Sequence, residues 1–382
     1  MEDLGRLRDQ IDSIDDQIVK LFEERMKVAE GVAAYKRSVG KPVLDKEREK
    51  IKIKKVTEKT TNDFNRQGVE SLFNQIMSIS RMLQYQKLAS ERADLEGFCE
   101  DDMKVTGDTK VVYAGVPGAY AESAMLKFFG TEIDGFNVET FGDAMEAVHS
   151  GAADYAVLPI ENSSTGSVND VYDLLSEYDN HIVGETMVKI EHALLGLPGS
   201  SLDQIHTVYS HPQGLMQCSR FLDEKRDWQQ VSLQNTAASA KRVVDDGDLS
   251  QAAIASKQAA KNYGLIVLKD HLNDLDNNST RFVIISHKKM FEPGADTISI
   301  CFETLHESGS LYSVLSHFIF NGLNMTRIES RPIHGKPWQY QFFVDFTGNL
   351  KEQTVKNALH GIQSETESFR ILGNYRGAEA IC

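Results

Sequence analysis

Two residue pairs in this sequence of 382 residues have types and spacing suited to chemistry. The first is Arg25 and Lys36. Eleven residues is close to three helical turns, so both fall on nearly one helix face, about 17 Å apart along the axis. Long side chains leaning toward each other can bracket a small dianion. The second is Thr280 and Arg281, a hydroxyl and a fixed cation directly before the apolar run Phe282–Ile285. A guanidinium suits a planar carboxylate, and a hydroxyl can hydrogen-bond a departing oxygen. Plain structural alternatives stand beside both: Arg25 paired with a carboxylate, and a loop that is merely polar.

The elements that must carry these residues can be read from periodicity. Leu4, Leu7, Ile11, Ile14, Ile18, Leu21, Val28, Val32 and Tyr35 recur in steps of three and four, the seam of a long helix. The missing step falls on Arg25, and a cation in an apolar stripe is costly unless paired. Arg8 sits about 100° off the face of Arg25 and Lys36, better placed to serve a neighbouring chain. Lys41-Pro42 ends this helix, and Asp45 to Glu49 opens a second, with acids suited to a helix N-terminus. A third follows Gly68, with Val69, Leu72, Phe73, Ile76, Ile79 and Leu83 inward. It stacks Ser80 and Gln84 four residues apart on one side; interhelical hydrogen bonds are the plainer use for that pair.

LRDQID, EERMKVAEGVAAYK, PVLDKERE and ISRMLQ make residues 1–90 resemble the all-helical chorismate mutases. The resemblance implies three helices, one very long, intertwined between two chains. It implies a site lined by Arg8, Arg25, Lys36, Asp45, Arg48, Glu49, Ser80 and Gln84. The reaction, chorismate to prephenate, is an intramolecular rearrangement. An enzyme assists it by holding the dicarboxylate compact and stabilising charge on the breaking ether oxygen. Lys36 and Gln84 suit that oxygen as donors. Glu49 either accepts the substrate hydroxyl or is protonated and donates.

Residues 91–108 are polar and aperiodic, so they read as a linker. Short strands then alternate with helical stretches, each strand ending in a polar cluster: KVVYA, YAVLP before IENSSTGSV, HTVYS before HPQGLMQC, QNTAASA, AAIAS before KQAA, and STRFVIIS. This predicts a mostly parallel α/β sheet with ligand at strand ends meeting helix N-termini. GVPGAY lacks the third glycine of a dinucleotide fingerprint, which excludes NAD. His211 before Pro212 can simply start a helix, and Ser210-His211 lacks the context of a hydrolase elbow.

Six motifs in order, GVPGAY, LPIENSSTGSV, YSHPQGLMQC, NTAASA, AAIAS and NNSTRF, make residues 109–288 resemble prephenate dehydratase. That family has two α/β lobes with the site in the cleft between them. Prephenate loses CO₂ and a hydroxyl, and hydroxide leaves poorly without a proton. The resemblance assigns that help to Thr280, by a hydrogen bond or a proton relay. Arg281 is expected to hold a substrate carboxylate, with Phe282 packed beneath the loop. Glu161, Asn162, Ser163, Thr165, Ser210, His211, Gln213 and Thr236 complete the expected pocket. Ala121 and Asn235 depart from the family pattern of a serine at each.

Residues 296–376 read strand, helix, strand, strand, helix, strand, a βαββαβ ferredoxin-like unit. NMTRIESRPIHGKPWQYQFFVD resembles the ACT regulatory domain. The resemblance implies L-phenylalanine bound between paired domains by Gly309, Ser310 and Leu311 with Glu329, Ser330, Arg331 and Pro332. Feedback inhibition by L-phenylalanine follows if one quaternary state binds it better.

Composition bounds the rest. Residues 1–90 hold 18 Lys+Arg and 15 Asp+Glu, net +3; the remainder holds 23 and 41, net −18, and the two sum to the chain's −15. Such acidity argues against a nucleic-acid partner. No apolar run reaches the roughly 20 residues of a membrane span. The charged start and four dispersed cysteines fit a cytoplasmic protein with reduced thiols, without a metal site or a cofactor. The expected partners are chorismate, prephenate, L-phenylalanine and a second copy, as a homodimer or dimer of dimers. Two other readings stay open: a dehydratase domain that prefers arogenate, and a non-catalytic amino-acid sensor.

Overall fold

The computed structural model describes residues 3–89 and 97–378. The chain divides into two compact units: residues 1–96 with 301–370, and 97–300 with 371–382.

Three helices open the first unit: α1 (Leu4–Ser38), α2 (Lys46–Thr57) and α3 (Asp63–Ala89). Asp3 caps α1 by accepting from the Gly5 amide, and Asp45 caps α2 by accepting from the Arg48 amide at 3.0 Å. The seam of α1 is exposed in the single chain, from Leu4 at 60% and Ile11 at 57% to Val28 at 68%. Only Ala29 and Ala33 of α1 are buried, where α1 packs on α3. On α3 the inward face is broader than a stripe. Met77, Ser78, Ser80, Arg81, Met82, Gln84 and Tyr85 are all buried, whereas Leu72 is exposed.

The second unit begins within the expected linker. Residues 91–96 lie outside the described residues, but β1 (Cys99–Glu100) is a short strand, not linker. Next come β2 (Lys110–Ala114), α4 (Tyr120–Phe129), β3 (Asp134–Val138), α5 (Phe141–His149), β4 (Tyr155–Asn162), β5 (Gly166–Ser167), α6 (Asn169–Glu177) and β6 (His181–Lys189). A second lobe follows with β7 (Ala193–Gly196), β8 (Thr207–Ser210), α7 (Pro212–Gln217), α8 (Ser219–Asp223), β9 (Gln229–Ser232), α9 (Thr236–Asp246), β10 (Gln251–Ala255), α10 (Lys257–Tyr263) and β11 (Ile266–Lys269). The chain then returns as β12 (Ser279–Ser286) and β13 (Met290–Phe291), which pairs with β1.

The first lobe's strands run β6-β12-β4-β2-β3 and the second lobe's β11-β7-β10-β8-β9. The sheets are mixed rather than mostly parallel. β12 lies antiparallel to both β4 and β6, and β7 antiparallel to β10 and β11. The returning strand β12 has to enter between strands already laid down, and it does so in the reverse sense. Each lobe has its own core: Val111, Val157, Ile284 and their neighbours in the first, Leu194, Val208, Ile254 and theirs in the second. Gly118 explains its own residue type. Its φ is +92°, and a Cβ there would meet the Ala259 backbone at 2.7 Å, so only glycine lets the loop after β2 close on α10.

The C-terminal segment is β14 (Thr297–Glu303), α11 (Ser310–Phe320), β15 (Met325–Pro332), β16 (Tyr340–Thr347), α12 (Gln353–Glu365) and β17 (Ser368–Tyr375), the expected βαββαβ order. Within the first unit, α12 and α11 pack on α3.

Candidate active sites

In the helical cluster, Arg25 Nη1 donates to Ser80 Oγ and, at 3.4 Å, to the Ile76 carbonyl. Ser80 Oγ in turn donates to the Ile76 carbonyl at 3.0 Å. Lys36 Nζ donates to the Val43 carbonyl, so the loop after Pro42 bends back onto α1. Burial pushes both cations below their ordinary pKa range. Glu49 opposes that shift at Arg25, and Asp45 and Glu49 oppose it at Lys36. Gln84 Nε2 gives one proton to the Ser80 carbonyl at 3.0 Å and keeps another, while its buried Oε1 has no partner among the described residues. Glu49 opens α2, and Arg81 Nη1 grips both of its oxygens, at 2.8 and 2.6 Å.

Five predicted residues, Arg25, Lys36, Glu49, Ser80 and Gln84, therefore come together. Asp45 spends one oxygen on the cap, and the Arg48 side chain is exposed. Arg8 is exposed and stands 17 residues before Arg25 on the same helix, about 26 Å away along the axis. The single chain does not bring it to the cluster.

The second site is a cleft of about 420 Å³ between the lobes of the second unit. Thr280 and Asn162 meet at its floor, both nearly buried. A bulge makes this possible. Arg281 pairs with Glu161 but Phe282 with Pro159, leaving Ile160 as the extra residue. One added residue in a period of two turns Pro159 and Asn162 to the same side. Asn162 Nδ2 donates to Thr280 Oγ1 at 2.9 Å, to Asn278 Oδ1 at 2.8 Å and to the Ser279 carbonyl at 3.2 Å. Its Oδ1 gathers the following turn, accepting from Ser164 Oγ at 2.6 Å and the Thr165 amide at 3.2 Å. No described residue accepts the Thr280 proton.

Of the remaining predictions, Thr165, His211, Gln213, Thr236 and Phe282 line the cleft. His211 caps α7 by accepting from the Gln213 amide on Nδ1, and burial lowers its pKa, so its neutral ring presents Nε2–H. Four predicted residues are not lining. Arg281 points to the opposite face of β12 from Thr280, as strand alternation requires, and is neutralised by Glu185 at 2.9 Å and Glu161 at 3.1 Å. Glu161 is thereby a partner of Arg281, not a pocket group. Ser163 accepts from the Ser279 amide at 3.0 Å. Ser210 is fully buried and donates to the Ile254 carbonyl at 2.7 Å.

Sequence reasoning passed over His192, Gln217 and Tyr120, which do line the cleft. His192 Nε2 lies 2.9 Å from Gln217 Oε1, and its Nδ1 lies 3.1 Å from the Tyr120 hydroxyl. Burial pushes the His192 pKa down, more strongly than the Gln217 bond raises it, and Tyr120 is shifted well up by burial. In the neutral ring, Nε2–H donates to Gln217. Tyr120 closes GVPGAY and Gln217 lies within YSHPQGLMQC, so a quoted motif marked each of them, whereas His192 lies in none. Asn235 has its own use: its Oδ1 caps α9, accepting from the Ala238 amide at 2.7 Å. Ala121 is a buried lining residue of α4.

In the C-terminal segment, Gly309, Ser310 and Leu311 lie in a pocket of about 390 Å³ formed by residues 304–312. Gly309 precedes α11 at φ +83°, a left-handed conformation that favours glycine. Glu329, Ser330, Arg331 and Pro332 lie on β15, an outer strand, and do not line that pocket.

A cation-lined helical cluster and a polar α/β cleft are the two candidate centres of the chain. A family model described as chorismate mutase type II matches residues 7–85, and one described as prephenate dehydratase matches residues 111–290. A bifunctional chorismate mutase/prephenate dehydratase of Pseudomonas aeruginosa is 33% identical over 380 residues, 98% of both chains. The solved prephenate dehydratase of Arthrobacter aurescens, in complex with L-Phe, is 30% identical with TM-score 0.64, covering 70% of this chain and 90% of that one. A solved chain described as a novel type of quorum-quenching acylase is 32% identical with TM-score 0.66, over 70% and 98%. The present chain belongs to the bifunctional chorismate mutase/prephenate dehydratase family.

Proposed function

We propose that the helical cluster rearranges chorismate to prephenate and that the α/β cleft converts prephenate to phenylpyruvate. In the cluster, Arg25 and Arg48 bind substrate carboxylates, and Lys36 and the spare Gln84 proton face the ether oxygen. Arg25, Lys36 and Gln84 are fixed before the substrate arrives and are partly desolvated, so they act most strongly where negative charge develops. Glu49, clamped by Arg81, is suited to accept the substrate hydroxyl.

In the cleft, the ring carboxylate leaves as CO₂ and its electron pair enters the ring as the C–OH bond breaks. The departing hydroxide takes a proton and leaves as water. The observation that carries this reading is the Asn162–Thr280 bond. Asn162 fills an acceptor site of Thr280 Oγ1. That leaves the Thr280 O–H to point at the departing oxygen. A threonine hydroxyl is a weak acid, so Thr280 hydrogen-bonds or relays; it does not supply the proton outright.

Two further parts belong to this reading. A second copy covers the apolar seam of α1 and brings its Arg8 to the cluster, supported by the exposure of Leu4 through Val28 and by the distance to Arg25. L-phenylalanine binds the C-terminal segment and slows dehydration, supported by the Gly309–Leu311 pocket and by the Arthrobacter relative solved with that amino acid. The experiment is to give purified protein chorismate alone and follow the products. Phenylpyruvate that forms, and forms more slowly when L-phenylalanine is added, is the expected result. Prephenate accumulating without phenylpyruvate would refute the assignment of the cleft.

A further inference from the structure

Arg81 is among the most deeply buried charges in its unit, at 7% exposure. It stands between Ser80 and Gln84 on α3, and its guanidinium is divided between two carboxylates. Nη1 holds both oxygens of Glu49, while Nε donates to Glu365 Oε1 at 2.7 Å. Glu365 ends α12, 284 residues further along the chain than Arg81. Ser313 of α11 completes that side, donating to Glu365 Oε2 at 2.8 Å.

Desolvating an arginine costs several kcal/mol unless it is fully paired. A fork bound at one edge has little rotational freedom left, so the Glu365–Ser313 grip decides where Nη1 points. Nη1 points at a carboxylate of the mutase cluster. The charged and titratable groups around this pair are few. Arg25 and Lys36 face Glu49 from α1, and Asp45 lies at the start of α2. His317 Nε2 stands 3.4 Å from Glu365 Oε1, and the ring of Tyr85 packs against those of His317 and His360.

We propose that Arg81 is a positioning residue of the rearrangement, holding the Glu49 carboxylate beside Arg25 and Lys36, and that Glu365 of α12 is the anchor that seats it. The place and orientation of the Glu49 carboxylate are then set by a residue that is not itself in contact with substrate. The proposal also ties mutase chemistry to the C-terminal segment. It rests on the assignment of Glu49 to the mutase site.

The test uses the full chain, with mutase and dehydratase assayed separately on chorismate and on supplied prephenate. Arg81→Met should lower mutase kcat on the order of tenfold to a hundredfold. It should leave KM for chorismate within about threefold, because a displaced Glu49 weakens the transition state more than ground-state binding. Arg81→Lys, which keeps a cation beside Glu49, should recover most of the lost kcat. Glu365→Gln should lower mutase kcat severalfold while dehydration of prephenate stays within about twofold. Glu49→Gln separates the two ideas. If it cripples the mutase but Arg81→Met keeps the parent kcat, the positioning role is overturned and the site stands. If Glu49→Gln is fully active, the site assignment itself fails. Should Arg81→Met not fold, Glu365→Gln decides: loss confined to the mutase supports the proposal, and no loss, or equal loss of both activities, overturns it.

Discussion

Replacing Thr280 by valine keeps the shape of the side chain and removes only its hydroxyl. The structural cost should be small. Asn162 Nδ2 loses one of three acceptors and keeps Asn278 Oδ1 and the Ser279 carbonyl, so about 1 kcal/mol of stability is at stake. The catalytic cost should be much larger. A preorganised hydrogen bond to charge that develops only in the transition state is worth roughly 10²–10³ in kcat, or about 3–4 kcal/mol. Single-turnover and steady-state assays on prephenate should therefore show kcat down by two to three orders of magnitude with KM changed less than tenfold. Mutase activity on chorismate should be unaltered. Thr280→Ser, which restores the hydroxyl, should recover most of the rate. A valine variant that keeps more than about a tenth of the parent kcat would refute the argument, because Asn162 would then be holding a hydroxyl that does nothing.

Lys36→Ala should cut mutase kcat by at least about tenfold, by loss of a desolvated donor, and leave prephenate dehydration intact; parallel loss of both activities in a folded variant would contradict the separation of the sites. With the effector held between paired domains, β15 of one copy against the Gly309–Leu311 pocket of another, Arg331→Ala should need at least tenfold more L-phenylalanine for half-inhibition of dehydration, read from dose–response curves; full inhibition at unchanged concentrations would remove this residue from the effector site. Glu365→Gln also has a stability signature. Burial pushes the Glu365 carboxyl up, but His317 and Arg81 outweigh it and hold the pKa at about 2 in the folded chain against 4.5 ordinarily. A depressed carboxylate stabilises above its unfolded pKa and loses that contribution as pH falls toward its folded one. The variant should be less stable than the parent by about 3 kcal/mol at pH 7, with the gap closing as pH falls from 4.5 toward 2. Urea midpoints with a pH-independent gap would show that the pair is not what stabilises this region.

What the sequence disclosed about the sites depends on how local the signal was. The long α1 helix and the inward Arg25 and Lys36 are periodic features, and periodicity survives folding. Thr280, Asn162, His211 and Thr236 sit at strand ends and helix starts, where backbone geometry alone aims a side chain into a cleft. The same reasoning, carried one residue further, would have caught Arg281. Alternation along β12 puts 280 and 282 on one face and 281 on the other, and a cation so turned needs the acids Glu161 and Glu185 that it finds. Ser210 failed for a different reason: a hydroxyl at a strand end can bond across to the next strand instead of facing ligand, and Ile254 is that neighbour.

Arg81 shows where local reading must stop. Within ISRMLQ it looks like an outward arginine on a helix whose polar positions were already explained by Ser80 and Gln84. Its anchor lies in a segment read as a separate unit with a separate task, and nothing in either stretch announces the other. The physical clue is energetic: an isolated buried guanidinium is too costly to persist, so its burial requires a partner acid, and only folding says that it meets two. Because those acids are Glu49 and Glu365, the cost of burying Arg81 is met by residues belonging to the mutase cluster on one side and to the C-terminal segment on the other. A substitution that relaxes α12 should therefore be felt first in the rearrangement and not in the dehydration.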